Sequence, residues 1–198
     1  MKRTTTINLF AALLAVAAIT TFTSCSNNGD YSKEMQAKID SMQTVLKTIS
    51  DGNATLEKNL TTFDTLDFTV FTNQDWVRLH ESHAKDIIVD WPDGHHTNGI
   101  EKHIEDLKAM FVYAPDTRIK QHPIRMGSGT GEWTSVMGIM EGTFTKPMPI
   151  GNGKSIQPTE KSFKIPMCTI GHWKGGLMIE EWLFWDNQTY MNQIGLGK

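Results

Sequence analysis

The chain has 198 residues, 19 basic against 22 acidic for a net charge of −3, and 39% of its residues are hydrophobic. That size fits one ordinary domain with flanking segments, and the acidic balance excludes a partner gripped through nucleic-acid phosphates. With only Cys25 and Cys168, a disulfide framework is excluded as well.

Met1-Lys2-Arg3 and an apolar run from Ile7 to Ile19, with no acid before Asp30, predict a secretory signal over residues 1–24. The run is too short for a membrane span, which needs about 20 apolar residues. Phe22-Thr23-Ser24-Cys25 puts small residues directly before a cysteine, followed by the polar stretch Ser26-Asn27-Asn28-Gly29-Asp30. This resembles a lipobox with Phe in place of the usual Leu, so Cys25 is the expected lipidation site. The expectation is an envelope protein held to a membrane through lipid, facing periplasm or cell surface. Loss of residues 1–24 removes Lys2 and Arg3 but no acid, so the remaining chain carries −5.

Met35, Ile39, Met42, Leu46 and Ile49 fall at alternating four- and three-residue steps, a short a/d pattern that Asp51-Gly52-Asn53 should end. Residues 25–53 thus read as tether and helical stalk, and residues 54–198 as the domain. A second helical stripe runs through Leu56, Leu60, Phe63, Leu66, Val70 and Phe71. Asn73-Gln74-Asp75 opens a third, with Trp76, Leu79, His83 and Ala84 on one face; Ile87-Ile88-Val89 reads as a strand stopped by Trp91-Pro92-Asp93-Gly94. Ile100, Ile104, Leu107 and Phe111 then mark another helix, ended by Ala114-Pro115. Arg118–Met126, Trp133–Thr145, Ser162–Trp173 and Leu177–Trp185 are strand-length runs rich in Thr, aromatic and β-branched residues. Between them Lys146–Lys161, broken by prolines and glycines, reads as a long loop and candidate lid. Helices first and antiparallel strands after predict an α+β domain with helices on one face of a curved sheet.

Asn73-Gln74-Asp75-Trp76, Trp91-Pro92, Asn98-Gly99-Ile100-Glu101, Pro115-Asp116 and the closing Glu181-Trp182-Leu183-Phe184-Trp185-Asp186 with Met191–Leu196 stand in a characteristic order. Over residues 55–198 the layout resembles the SnoaL-like polyketide cyclases and ester cyclases of the nuclear transport factor two-like superfamily. The resemblance implies a cone-shaped, cystatin-like roll in which a curved antiparallel sheet wraps around helices and leaves a hydrophobic cavity. It implies ring-closing aldol chemistry by a carboxylate and a histidine, no metal or organic cofactor, and frequent homodimers through the outer sheet face. In the family pattern the histidine lies seven residues before the hairpin glycine and the aspartate directly follows the last strand's tryptophan. Through Gly176 and Trp182 these positions fall on Thr169 and Leu183, which exchange no proton near neutral pH.

Other polar groups must then carry any chemistry. Alternation along the last strand puts Ile179, Glu181, Leu183 and Trp185 on the cavity face. A carboxylate there is poorly solvated, so Glu181 is expected to have a raised pKa and to act as acid or base. His122, turned by a bulge at Pro123, is the expected partner, and Glu141 a second buried carboxylate. Trp91, Trp133, Met137, Met167, Thr169, Leu183 and Trp185 are the expected pocket lining for a small hydrophobic ligand. Asp186 precedes the final helix and reads as its cap, and Cys168 as a small apolar strand residue. His80, His83, His95 and His96 lack the spacing of a recognised metal site. Two functions remain: cofactor-free acid–base chemistry on a small apolar ketone or ester, or capture of a hydrophobic ligand without reaction.

Overall fold

The computed structural model describes residues 28–197, so Cys25 and the signal segment lie outside the described residues. The chain divides into two compact units, Met1–Thr44 and Val45–Lys198. Helix α1, Asn28–Thr65, runs through the boundary, and in its first part Met35 and Met42 are exposed. Among the described residues no helix is long and apolar enough to cross a membrane.

Asp51-Gly52-Asn53 does not end the helix, contrary to the sequence expectation. Gly52 serves a close approach instead: a Cβ there would overlap the Gly129 carbonyl in the turn before Trp133. Two turns on, Asn59 Nδ2 donates to the Gly131 carbonyl at 2.9 Å and fastens the same contact. Ala for Gly inside a helix ordinarily gains about 0.5–1 kcal/mol. Here Gly52→Ala is expected to cost about 1–3 kcal/mol through overpacking against backbone, read as a lower urea midpoint with unchanged slope.

After α1 the helix widens into a π-helical turn, Leu66–Phe71, and a tighter 3₁₀ helix, Trp76–Glu81, follows. Strands and helices follow as β1 (His83–Asp90), β2 (His96–Asn98), α2 (Ile100–Tyr113), β3 (Arg118–Ile119), β4 (Ile124–Gly127) and β5 (Trp133–Thr143). The chain closes with β6 (Met148–Pro149), β7 (Ser155–Ile156), β8 (Ser162–Lys174), β9 (Leu177–Phe184) and α3 (Asn187–Gln193). The predicted third helix is therefore shorter, and His83 and Ala84 open a strand. The presumed loop between Lys146 and Lys161 contains the β6–β7 hairpin.

Seven strands form one sheet in the order β2-β1-β9-β8-β5-β3, with β4 also on β5. The sheet is not wholly antiparallel, because β1 pairs with β9 in parallel. Its inner face packs Val136, Met140, Ile165, Trp173 and Met178 against Leu60, Phe63, Leu66 and Val70. Along β5 the even positions are buried and the odd ones face outward. Trp133, Met137 and Glu141 thus stand on the side of the sheet away from the core, against expectation. Asp186 caps α3 as expected, its carboxylate accepting from the Gln188 and Thr189 amides.

Candidate functional site

Three elements bring their polar side chains to one buried point. Glu181, on β9 between the buried Met178 and Leu183, is only 4% exposed. A register shift between His172 and Trp173 turns Met178 inward and leaves Ile179 half-buried, a local departure from simple alternation. His83 opens β1 beside it, and His103 projects from α2 in line with the buried Leu107 and Phe111. Glu181 Oε2 lies 3.5 Å from His83 Nε2 and 3.4 Å from His103 Nε2, and the two imidazole rings are 5.2 Å apart.

Hydrogen bonding fixes a proton on His83 Nδ1. The Ser82 hydroxyl donates to the Leu79 carbonyl, so it accepts from His83 Nδ1–H at 2.8 Å. A neutral His83 therefore turns a bare Nε2 toward the carboxylate. His83 Nε2, Glu181 Oε2 and His103 Nδ1 are all buried without a hydrogen-bond partner, an unusual concentration of unsatisfied polar atoms. Burial pushes the pKa of Glu181 up, but His83 and His103 beside it outweigh this and the net direction is down. The raised value expected from burial alone is thus not found. Burial also drives His103 down to about 4, leaving its ring neutral.

Asp67 lines the same chamber from the π-helical turn, a helix distortion that often marks functional positions. Burial, the largest influence, holds its carboxyl above the usual range, and the charge of Glu181 adds to this against the opposing His122. His122 does not reach Glu181; it bridges Asp64 Oδ1 (2.7 Å from Nδ1) and Asp67 Oδ2 (2.8 Å from Nε2). The chain between β3 and β4 leaves strand pairing at Lys120-Gln121-His122-Pro123 and turns the ring inward as the proline suggested. Gly138 on β5 leaves the space, and Phe68 packs on the ring at 4.4 Å. Burial lowers the His122 pKa, but Asp67 and Asp64 outweigh it and the net direction is up. Beyond Asp64, Arg125 completes the row at 2.5 Å near the surface.

The remaining candidates separate cleanly. Thr169 and Leu183 are cross-strand partners that both line the chamber, as do Trp91, Met167 and Trp185. Glu141 is bound on the outer face by Arg118 at 2.8 Å and Lys164 at 3.7 Å. Trp133 stacks there on His172 and Trp182. His172 bonds to Glu180 at 2.7 Å and takes no part in the chamber. His80 is exposed, His95 is bound to Asp93, and His96 to Asp90. Among the described residues, His83, His103 and Glu181 are the group whose donor atoms, all within 4.8 Å of one another, could hold a metal ion.

The chamber itself encloses about 30 Å³, roughly two waters. Its wall at Trp91 and Trp185, in edge contact at 6.3 Å, also borders two outer grooves of about 380 and 530 Å³. Met148 and Pro149 of the β6–β7 hairpin flank the first of these, which gives the presumed lid segment its place.

Comparison with solved structures supports this architecture. A protein described as a SnoaL-like polyketide cyclase from Jannaschia sp. CCS1 superposes with a TM-score of 0.61 at 18% identity, covering 72% of this chain and 94% of that one. One described as a polyketide cyclase from Xanthomonas campestris pv. campestris gives 0.61 at 13% identity, over 71% and 99%. IdmH from Streptomyces antibioticus, also described as a polyketide cyclase, gives 0.55 at 20% identity, over 69% and 98%. At these identities the likeness speaks for the fold. No curated protein sequence matches the chain. The model of the SnoaL-like polyketide cyclases matches residues 63–194, which include every chamber group named above, and the chain belongs to that family.

Proposed function

We propose that the protein is an envelope-anchored acid–base enzyme that makes an enol or enolate from a small apolar ketone or ester and closes or isomerises it. The observation that carries this reading is a carboxylate, Glu181, flanked by two imidazoles at 3.4 and 3.5 Å in an apolar chamber that also holds a second carboxyl group, Asp67. Glu181 takes a proton from the carbon next to the carbonyl, and the electron pair moves onto the carbonyl oxygen. Asp67, whose carboxyl burial holds above the usual range, is the acid that gives a hydrogen bond or a proton to that oxygen. The enol carbon then attacks a second carbonyl of the same molecule, whose oxygen takes the proton held by Glu181 while Asp67 recovers its own. In a conjugated substrate Glu181 instead returns the proton to the far carbon of the dienol. The outer grooves suit the apolar body of the substrate, with Trp91 and Trp185 between it and the reacting end.

The test uses 2-tetralone, a flat ketone with acidic α-protons. Chelator-washed protein in heavy water is expected to speed exchange of those protons, followed by NMR, and no acceleration over buffer overturns the reading. A second reading, capture of a hydrophobic molecule without reaction, is favoured by Thr169 and Leu183 at the two family positions inside the chamber. Binding of 2-tetralone without exchange selects it.

The anchor is proposed from Phe22-Thr23-Ser24-Cys25. Cys25→Ser is expected to abolish incorporation of a labelled fatty acid and release the protein from the membrane fraction. Continued labelling of the variant overturns the anchor.

A further inference from the structure

The geometry points to a second ligand of the same chamber: we infer that His83, His103 and Glu181 bind a divalent ion of the zinc type, which silences the base when it is present. Ion binding stands independently of the proposed reaction, and only the silencing rests on that reading.

With Nδ1 held by Ser82, a neutral His83 ring faces the carboxylate oxygen with a bare Nε2, and two electron-rich atoms cannot be left so in a dry site without a cation between them. A shared proton satisfies one pair and draws it to about 2.7–2.9 Å. The observed separations are 3.5 and 3.4 Å, and they converge on the single atom Glu181 Oε2. Two donors each about 2.1 Å from a tetrahedral ion stand about 3.4 Å apart, so one ion satisfies all three groups where one proton does not.

Two imidazoles and one carboxylate suit zinc and its neighbours in the d-block, and poorly suit calcium or magnesium, which take oxygen ligands. The fourth position faces the chamber, whose 30 Å³ leaves room for a water on the ion. The outer shell is built on one side: Ser82 holds His83 by Nδ1, as ligating histidines normally are held. It is open on the other, since His103 Nδ1 has no partner. That asymmetry sets the affinity below that of a fully built structural site. Once bound, the ion uses the carboxylate lone pair that proton removal requires.

The test is a cobalt(II) titration of chelator-washed, full-length protein. The expected result is one equivalent of retained ion and a visible band of the intensity that tetrahedral cobalt gives, bleached by zinc. Glu181→Gln and His103→Asn should each weaken binding by more than about 100-fold, and Ser82→Ala by about 10- to 100-fold, the usual cost of an outer-shell change. His172→Asn, on the outer face, should leave it unchanged. Thermal unfolding of each variant checks that it is folded, and Ser82→Ala keeps all three donors if either of the others is not. Absence of the band, or a band that survives Glu181→Gln and His103→Asn, overturns the site. Loss of 2-tetralone exchange on adding one equivalent of zinc supports silencing, and exchange that persists with the site filled overturns it. Cobalt binding with no exchange in either form sinks the proposed reaction and leaves the ion site standing.

Discussion

Glu181→Gln is expected to slow α-proton exchange of 2-tetralone by about 10²- to 10⁴-fold, the usual contribution of a positioned base, while the protein stays folded. Gln matches Glu in shape but has no basic oxygen. The Ser82 bond still holds His83 by Nδ1, and the substitution takes a charge out of the core instead of stranding one. Glu181→Asp separates base from scaffold. It keeps the charge but withdraws it by one methylene, and should retain a measurable part of the rate that Gln loses, because efficiency depends on reach. Equal rates for Gln and wild type would remove Glu181 from the reaction and leave it a structural group.

Glu181 was legible in the sequence because a charge between Ile179 and Leu183 on a strand has few places to go. Its partners were harder to read. The four-residue step from Leu79 to His83 imitates a helix, yet the 3₁₀ turn ends at Glu81 and His83 opens a strand. His103 stands four residues before Leu107 and eight before Phe111, a position on the buried stripe that its polarity disguised. Asp67 likewise sits four residues after Phe63 and four before Phe71, and a carboxylate inside an apolar stripe was the available signal. β5 misled for a different reason. Its inner face includes Gly138 and Gly142, which make room for His122 and Phe163, so the outer face with Trp133 and Met137 carries more apolar bulk. Strand parity cannot be read from bulk where the core-facing residues are kept small for a neighbour. The parallel pairing of β1 with β9 is a long-range contact that no local pattern encodes.

His122→Ala should lower stability by about 3–5 kcal/mol, the range found when one member of a buried charged network is removed. Both ring nitrogens bond to carboxylates, so the substitution strands Asp67 inside the core and opens space beside Phe63 and Phe68. Adding Asp67→Asn should recover part of the loss, because the stranded charge is then gone, and the two changes will not be additive. The pH dependence has a definite sign. His122 has a raised pKa in the fold, so in the wild type its stabilisation is complete below the unfolded value of about 6.5. It is lost as pH rises through the folded value. In His122→Ala, Asp67 keeps a raised pKa without its partner, so the variant is penalised increasingly as pH rises from about 3.9, the unfolded carboxyl value, through the folded value. The stability gap between the two proteins should therefore be widest between the folded pKa of Asp67 in the variant and that of His122 in the wild type, and narrow on both sides. Urea unfolding across that range measures it. A gap that stays constant with pH would mean that packing of the ring, and not its bridge between Asp64 and Asp67, is what the fold loses.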